Sequence, residues 1–212
     1  MALFGLIEDG NVQKVRSLLA DDPSLAASRS ATGVSALLWA RYRGRHDIVE
    51  ALLEAGPVLD VFDAAALGRL DRLAELVSAD PEQANAWSAD GFTPVGLAAF
   101  FGQPEAVRFL IGRGADVRAV ARNAMRVQPL HAATAARSAE SVRLVLEAGA
   151  DPDAEQQEGY TALLVARHHG DQAIVELLLA HGAHDRDRKS DAPPSTDEVQ
   201  ADDASGTRSS TS

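Results

Sequence analysis

Two groups of side chains in this sequence have the types and spacing to do chemistry. His168-His169, and His181-x-x-His184 followed by Asp185, have the composition of a metal site. Between residues 108 and 126 stand five arginines, Arg108, Arg113, Arg118, Arg122 and Arg126, against the single acid Asp116. Neighbouring side chains on a helix point about 100° apart, and a chain without Cys has no thiolate to close a zinc site. No metal is therefore expected. The sequence holds no Gly-x-Ser-x-Gly elbow, no Walker loop, no Gly-x-Gly-x-x-Gly and no His-Glu-x-x-His. Its 31 carboxylates are spread along helical segments, where they seldom converge on one proton. No catalytic residue, no cofactor and no enzyme activity are expected. The arginine run suits bidentate pairing with carboxylates of a partner, which would set register and speed encounter. The other reading is a solvated loop whose guanidinium groups meet acids of adjacent segments or of the C-terminal tail.

The segments that must position these groups are short and repeated. The first core apolar residue of each unit, taken as register, falls at Leu3, Leu37, Val61, Val95, Leu130 and Leu163, in steps of 34, 24, 34, 35 and 33 residues. Seven residues later stand Gly10, Gly44, Gly68, Gly102, Arg137 and Gly170, and twelve after those come Asp22, Gly56, Asp80, Gly114, Gly149 and Gly182. Apolar residues recur at helical spacing on both sides of the central Gly, as in Ile48, Val49, Leu52 and Leu53, so each unit reads as two short helices. Thr93-Pro94, Gln128-Pro129 and Thr161-Ala162 open the first helix of their units, and the later Gly residues close the second. One such hairpin leaves an apolar face in water, so the units must stack.

These motifs resemble the ankyrin repeat family. The likeness rests on Asp90-Gly91-Phe92-Thr93-Pro94 with Gly114-Ala115-Asp116, on Pro129-Leu130-His131-Ala132-Ala133 with Gly149-Ala150-Asp151, and on Gly159-Tyr160-Thr161-Ala162-Leu163 with the run from Ile174 to Ala183. The resemblance implies an all-α solenoid of about six helix-turn-helix units joined by short β-turn fingers. Units are expected near residues 2–32, 33–58, 59–90, 91–124, 125–157 and 158–183. It also implies a structural hydrogen bond from His131, and a recognition surface on the concave face made by finger tips and the exposed end of each first helix. That surface falls on Tyr42, Arg43, Phe100, Phe101, His168 and His169 of the helices and on Val34, Phe92, Met125 and Tyr160 of the fingers. Tyr42, Phe92, Phe100, Phe101 and Tyr160 are the expected apolar anchors, with Arg122 and Arg126 steering. Large apolar residues at these places have no duty shared by all repeats, since Ala66, Ala135 and Ala136 stand at equivalent ones. In the alternative, Phe100 or Phe101 packs against a neighbouring repeat as core.

Residues 3–60 align with 61–118 without a gap, sharing Asp22-Pro23 with Asp80-Pro81 and Gly56 with Gly114, which reads as a duplicated pair of repeats. At the junction Gly56-Pro57-Val58-Leu59-Asp60 leads straight into the next helix, so one finger is missing. The finger between units four and five is longer by two residues than its successor. Residues 184–212 hold seven acids, four bases and nine Ser or Thr, too little apolar surface to offset ordering entropy, and are expected to be a disordered tail.

Net charge of -11 weighs against nucleic acid as a partner. Residues 1–10 lack a basic n-region, and no apolar run approaches the roughly 20 residues that span a bilayer. The expectation is a cytoplasmic monomer, bacterial by its 18 Arg to 2 Lys, that binds an unidentified protein. A self-assembling structural element and a small-molecule enzyme are the rival readings.

Overall fold

In a computed structural model, residues 2–184 form twelve helices in six antiparallel hairpins. The hairpins are α1 (Ala2–Glu8) with α2 (Val12–Asp21), α3 (Ala36–Tyr42) with α4 (His46–Glu54), and α5 (Val61–Ala66) with α6 (Leu70–Ala79). They continue with α7 (Pro94–Phe100) and α8 (Pro104–Gly112), α9 (Pro129–Ala135) and α10 (Ala139–Glu147), and α11 (Ala162–His168) and α12 (Gln172–Ala180). Apart from His184, the expected tail lies outside the described residues.

Helices of six to ten residues are too short to persist alone in water, so their stability comes from stacking. The first helices carry Ala64, Ala65, Ala98, Ala99, Ala132 and Ala133 on their buried faces, and these small side chains let successive hairpins approach closely. Ser35, Thr93 and Thr161 each accept an N–H of the first turn, from Leu38, Gly96 and Leu164. The turn inside each hairpin needs a left-handed residue; Gly102 supplies it at φ 64, and in unit five Arg137 occupies the same place at φ 56. The Arg137 side chain makes two hydrogen bonds to Asp171, at 2.7 and 2.6 Å, which offset part of that strain.

The second helices end in two ways. Gly56, Gly114, Gly149 and Gly182 adopt positive φ after α4, α8, α10 and α12. After α2 and α6, Asp22 and Asp80 instead cap 3-10 turns opened by Pro23 and Pro81. The fingers then follow, with isolated antiparallel bridges between Arg29 and Ser35 and between Glu155 and Thr161.

The linker from Gly56 to Asp60 carries no finger, and its neighbours close over the gap. A Cβ placed on Gly33, at the tip of the finger after unit one, would lie 2.9 Å from Cβ of Ala89 in the finger after unit three. The row then continues by backbone hydrogen bonds, Arg122 N–H to Gly91 carbonyl at 2.8 Å and Gln157 N–H to Met125 carbonyl at 3.3 Å.

The core divides at the same place. One apolar cluster joins units one and two, from Leu3 to Leu52. A second runs from Val61 to Ala183 through units three to six. A third, on the finger side, ties the two with Val34 and Leu38 of unit two, Ala66 of unit three, Phe92 and Leu97 of unit four, and Ala121 of the next finger. Polar groups seal the junction. Asp60 caps α5 by accepting the N–H groups of Phe62 and Asp63 and pairs with Arg29 at 2.7 Å. Ser35 donates its hydroxyl to Asp63, whose side chain is only 4% exposed. Burial first, and the Asp60 carboxylate second, push the Asp63 carboxyl up to about 6, against the opposing pull of Ser35 and Arg29.

Because the folded value of Asp63 lies above its unfolded one, its contribution is fully present below about pH 4 and is lost as pH rises through about 6. Asp63→Asn should therefore gain stability relative to the parent as pH goes from about 4 to about 7, by on the order of 2 kcal/mol. Urea denaturation across that range measures it, and a pH-independent difference contradicts the assignment. Gly91 provides a second check. Its added Cβ would meet the backbone of Arg122 at 2.7 Å, whereas one on Gly102 meets nothing within 4 Å. Gly102→Ala should cost about 1 kcal/mol for its left-handed backbone alone, and Gly91→Ala on the order of 2–3 kcal/mol because the adjoining finger must shift as well.

Candidate interaction surface

One flank of the stack is built from the last residues of each first helix and the residue that caps it, five and six positions after the register residue, and from the finger tips. In order of repeats the first of these places holds Glu8, Tyr42, Ala66, Phe100, Ala135 and His168. Bulky side chains thus flank a small one twice, at Ala66 and at Ala135, and the structure treats the two places differently.

Over Ala66 the flanking rings meet. Tyr42 lies 5.9 Å from Phe100 and 5.2 Å from Phe101, and Phe100 lies 5.1 Å from Phe101 and 6.2 Å from Phe92. The Tyr42 hydroxyl donates to Asp90 at 2.6 Å, and Ser88 donates to the other carboxylate oxygen of Asp90. Burial, then the Asp90 carboxylate, push the Tyr42 hydroxyl well above the ordinary phenol range. Arg41 stacks 4.7 Å above the Phe101 ring and donates to the carbonyls of Ala66 and Phe101. Burial lowers the pKa of this guanidinium. Ala66 is closed off beneath these groups.

This arrangement corrects the expectation of free rings. Phe92 is 5% exposed and belongs to the finger-side core with Val34, because the finger closure folds both inward. Phe100, Phe101 and Tyr42 are half-buried and spend their faces on one another. Arg43 is paired with Glu8 at 3.0 Å and stacks 5.5 Å from the Trp39 ring.

Over Ala135 nothing closes. Its methyl group is exposed, and so are His168 at the end of α11 and His169 that caps it, whose rings are 5.9 Å apart at 53°. The adjoining fingers present Arg122, Met125 and Arg126, all exposed, and the half-buried Tyr160. Met125 is 47% exposed, although its backbone is held by the Asn123 side chain and by Gln157. Arg122 lies 4.0 Å above the Trp87 ring. Arg126 has φ 51, a left-handed conformation that ends the turn from Asn123. Along this register position the row of bulky side chains thus drops, between Phe100 and His168, to the exposed methyl group of Ala135, a notch in the sequence of large residues. Sequence reasoning passed over Ala135 because a small residue reads as background; its signal was the alternation of large and small along one register position.

His131 is the structural group the family likeness implied. Its Nε2–H donates to the Ala154 carbonyl at 2.9 Å and its Nδ1 accepts the Gln128 N–H at 3.4 Å, which joins α9 to the following finger. Burial lowers its pKa and keeps the ring neutral. Among the described residues no three potential ligands converge to hold a metal ion, and no helix is long and apolar enough to cross a membrane.

A family profile described as ankyrin repeats in three copies matches residues 61–156 and again 130–193. The chain belongs to the ankyrin repeat family. An ankyrin repeat domain from Acinetobacter baumannii, solved by crystallography, superposes with a TM-score of 0.54 at 28% identity, covering 86% of this chain and 98% of that one. Among curated relatives, the E3 ubiquitin-protein ligase KEG of Arabidopsis thaliana is 31% identical over 82% of this chain and 10% of its own length. The human B-cell lymphoma 3 protein is 30% identical over 79% of this chain and 43% of its own. The chain thus spans less than half the length of these two relatives. Ankyrin repeats are general protein–protein interaction modules.

If the rings of this ankyrin stack hold repeats two and four together, their removal destabilises the fold. Phe100→Ala and Phe101→Ala should each cost on the order of 2 kcal/mol, and Tyr42→Phe, which removes a bond to a carboxylate, about 1.5–3 kcal/mol, in urea denaturation. Unchanged midpoints in all three would return the rings to the free surface.

Proposed function

We propose that this chain is a non-catalytic, monomeric module that captures a protein partner on its concave face, with the notch over Ala135 as the centre of contact. The observation that carries this reading is the contrast between two equivalent positions, Ala66 sealed beneath aromatic rings and Ala135 open to solvent. Met125 and Tyr160 would supply apolar contact, His168 and His169 one wall, and Arg122 and Arg126 electrostatic steering. Tyr42, Arg43, Phe92, Phe100 and Phe101 act one step removed, by fixing the opposite wall. Helices and hydrogen-bonded fingers set these positions before binding, so little side-chain ordering is left to oppose association. A cytoplasmic setting in a bacterial cell accords with the charge and with the arginine bias.

A second copy of the chain stacking on unit six is the rival reading. Leu164 and Leu179 are exposed there, while their counterparts Leu38 and Leu146 lie buried in the array. Sedimentation of the full chain distinguishes the two, since self-stacking gives an oligomer that grows with concentration.

Ala135→Trp fills the notch from an exposed helix position. It should leave the helical signal and the melting temperature unchanged while reducing capture of the native partner at least about tenfold, a loss of about 1.4 kcal/mol. Val58→Glu, at an 82% exposed linker site, serves as the control and should bind as the parent does. Full retention of capture by Ala135→Trp would move the contact elsewhere.

A further inference from the structure

The long finger between units four and five carries three arginines, Arg118, Arg122 and Arg126, and all three are exposed. Seven arginines elsewhere in the stack pair with carboxylates, among them Arg16 with Glu54, Arg29 with Asp60, Arg108 with Glu140 and Arg137 with Asp171, while Arg41, Arg45 and Arg113 are held by carbonyl or hydroxyl groups instead. Among the described residues none of the three finger arginines has an ion-pair partner. Arg118 donates to the Gly149 carbonyl, Arg122 covers Trp87, and the Arg126 side chain makes no hydrogen bond. In a chain of net charge -11 this is an uncompensated basic strip.

The sequence holds its complement. Residues 191–203 contain five carboxylates, Asp191, Asp197, Glu198, Asp202 and Asp203, and no Lys or Arg. The chain also leaves the last repeat close to the strip. His184 N–H donates to Asp153 at 2.8 Å, and Arg118 Nε–H donates to Gly149 at 2.7 Å, so both are fastened to the start of the same finger. Gly149 and Asp153 are separated by at most about 14 Å of extended chain, and the seven residues from His184 to Asp191 reach about 24 Å. Five tethered carboxylates within reach of three unpaired guanidinium groups have a high effective concentration for bidentate pairing.

We propose that the acidic segment 191–203 docks in cis on the arginine strip of the long finger, through ion pairs to Arg118, Arg122 and Arg126. The contact occupies the finger beside the Ala135 notch, so an acidic partner must displace it and a neutral partner need not. The contact itself does not depend on any partner.

The absence of native cysteine allows a direct test on the full chain. A nitroxide on Ser195→Cys, with an isotope-labelled backbone, should take intensity from the amides of residues 118–126 at about 0.05 M salt and release them at about 0.5 M, where the Debye length is much shorter. The effect should disappear in Arg118→Gln/Arg122→Gln/Arg126→Gln. It should disappear equally when the five acids of the segment are changed to Asn or Gln, a variant that leaves the repeats untouched. A mixture of spin-labelled unlabelled-isotope chains with isotope-labelled chains lacking the nitroxide should show no effect. No loss of intensity at residues 118–126, loss that survives either charge-neutral variant, or loss in the mixed sample would overturn the proposal.

Discussion

The hydrogen bond from Tyr42 to Asp90 joins repeat two to the finger that precedes repeat four, across a repeat whose own finger is missing, and the closing of the flank over Ala66 depends on it. The linker Gly56–Asp60 carries no finger, and the apolar core splits there into one cluster for units one and two and another for units three to six. A half-buried hydroxyl bonded to a carboxylate contributes about 1.5–3 kcal/mol, a large share of the 5–15 kcal/mol that separates folded from unfolded domains. Asp90 is itself held by Ser88, and the rings of Phe100 and Phe101 pack against the Tyr42 ring. Bridging the junction consumes the aromatic residues that would otherwise lie open.

Much of the fold was legible because it rests on local rules. The left-handed position at the centre of each hairpin demanded Gly, and even its replacement by Arg137 kept the turn, with Asp171 compensating. Asp-Pro and Gly marked two different endings of the second helix, and the loss of a finger showed as a short step in the repeat. The consequence of that loss was not legible. Spacing along a chain does not report that Gly33 and Ala89 come into contact, nor that Tyr42 and Phe100 reach each other over the methyl group of Ala66. Large side chains flank Ala66 and Ala135 alike in the sequence; what separates the two places is that Tyr42, Phe100 and Phe101 meet over the first while the second stays exposed.

A solenoid ordinarily confines contacts to adjacent units, and here the missing finger is made good by direct contact between repeats two and four. Here the repair is polar as well as aromatic: Arg29, Ser35, Asp60 and Asp63 close the base of the gap with one ion pair and one buried hydrogen bond. The remaining half of the flank, from Ala135 to His169, carries no such duty. A surface without a structural task, with basic groups at its rim and an exposed methionine on a hydrogen-bonded turn, is suited to a partner that brings both apolar and acidic groups.

The most direct measurement concerns Tyr42 itself. The chain has two tyrosines, so Tyr160→Phe leaves Tyr42 as the sole phenol, observable by ultraviolet absorbance as pH is raised. Buried against the Asp90 carboxylate, Tyr42 should stay protonated well beyond the ordinary phenol value of about 10 and ionise only when the protein unfolds in alkali. A reversible titration near pH 10 in the folded protein would show that the hydroxyl faces solvent, and the bridge between repeats two and four would not exist.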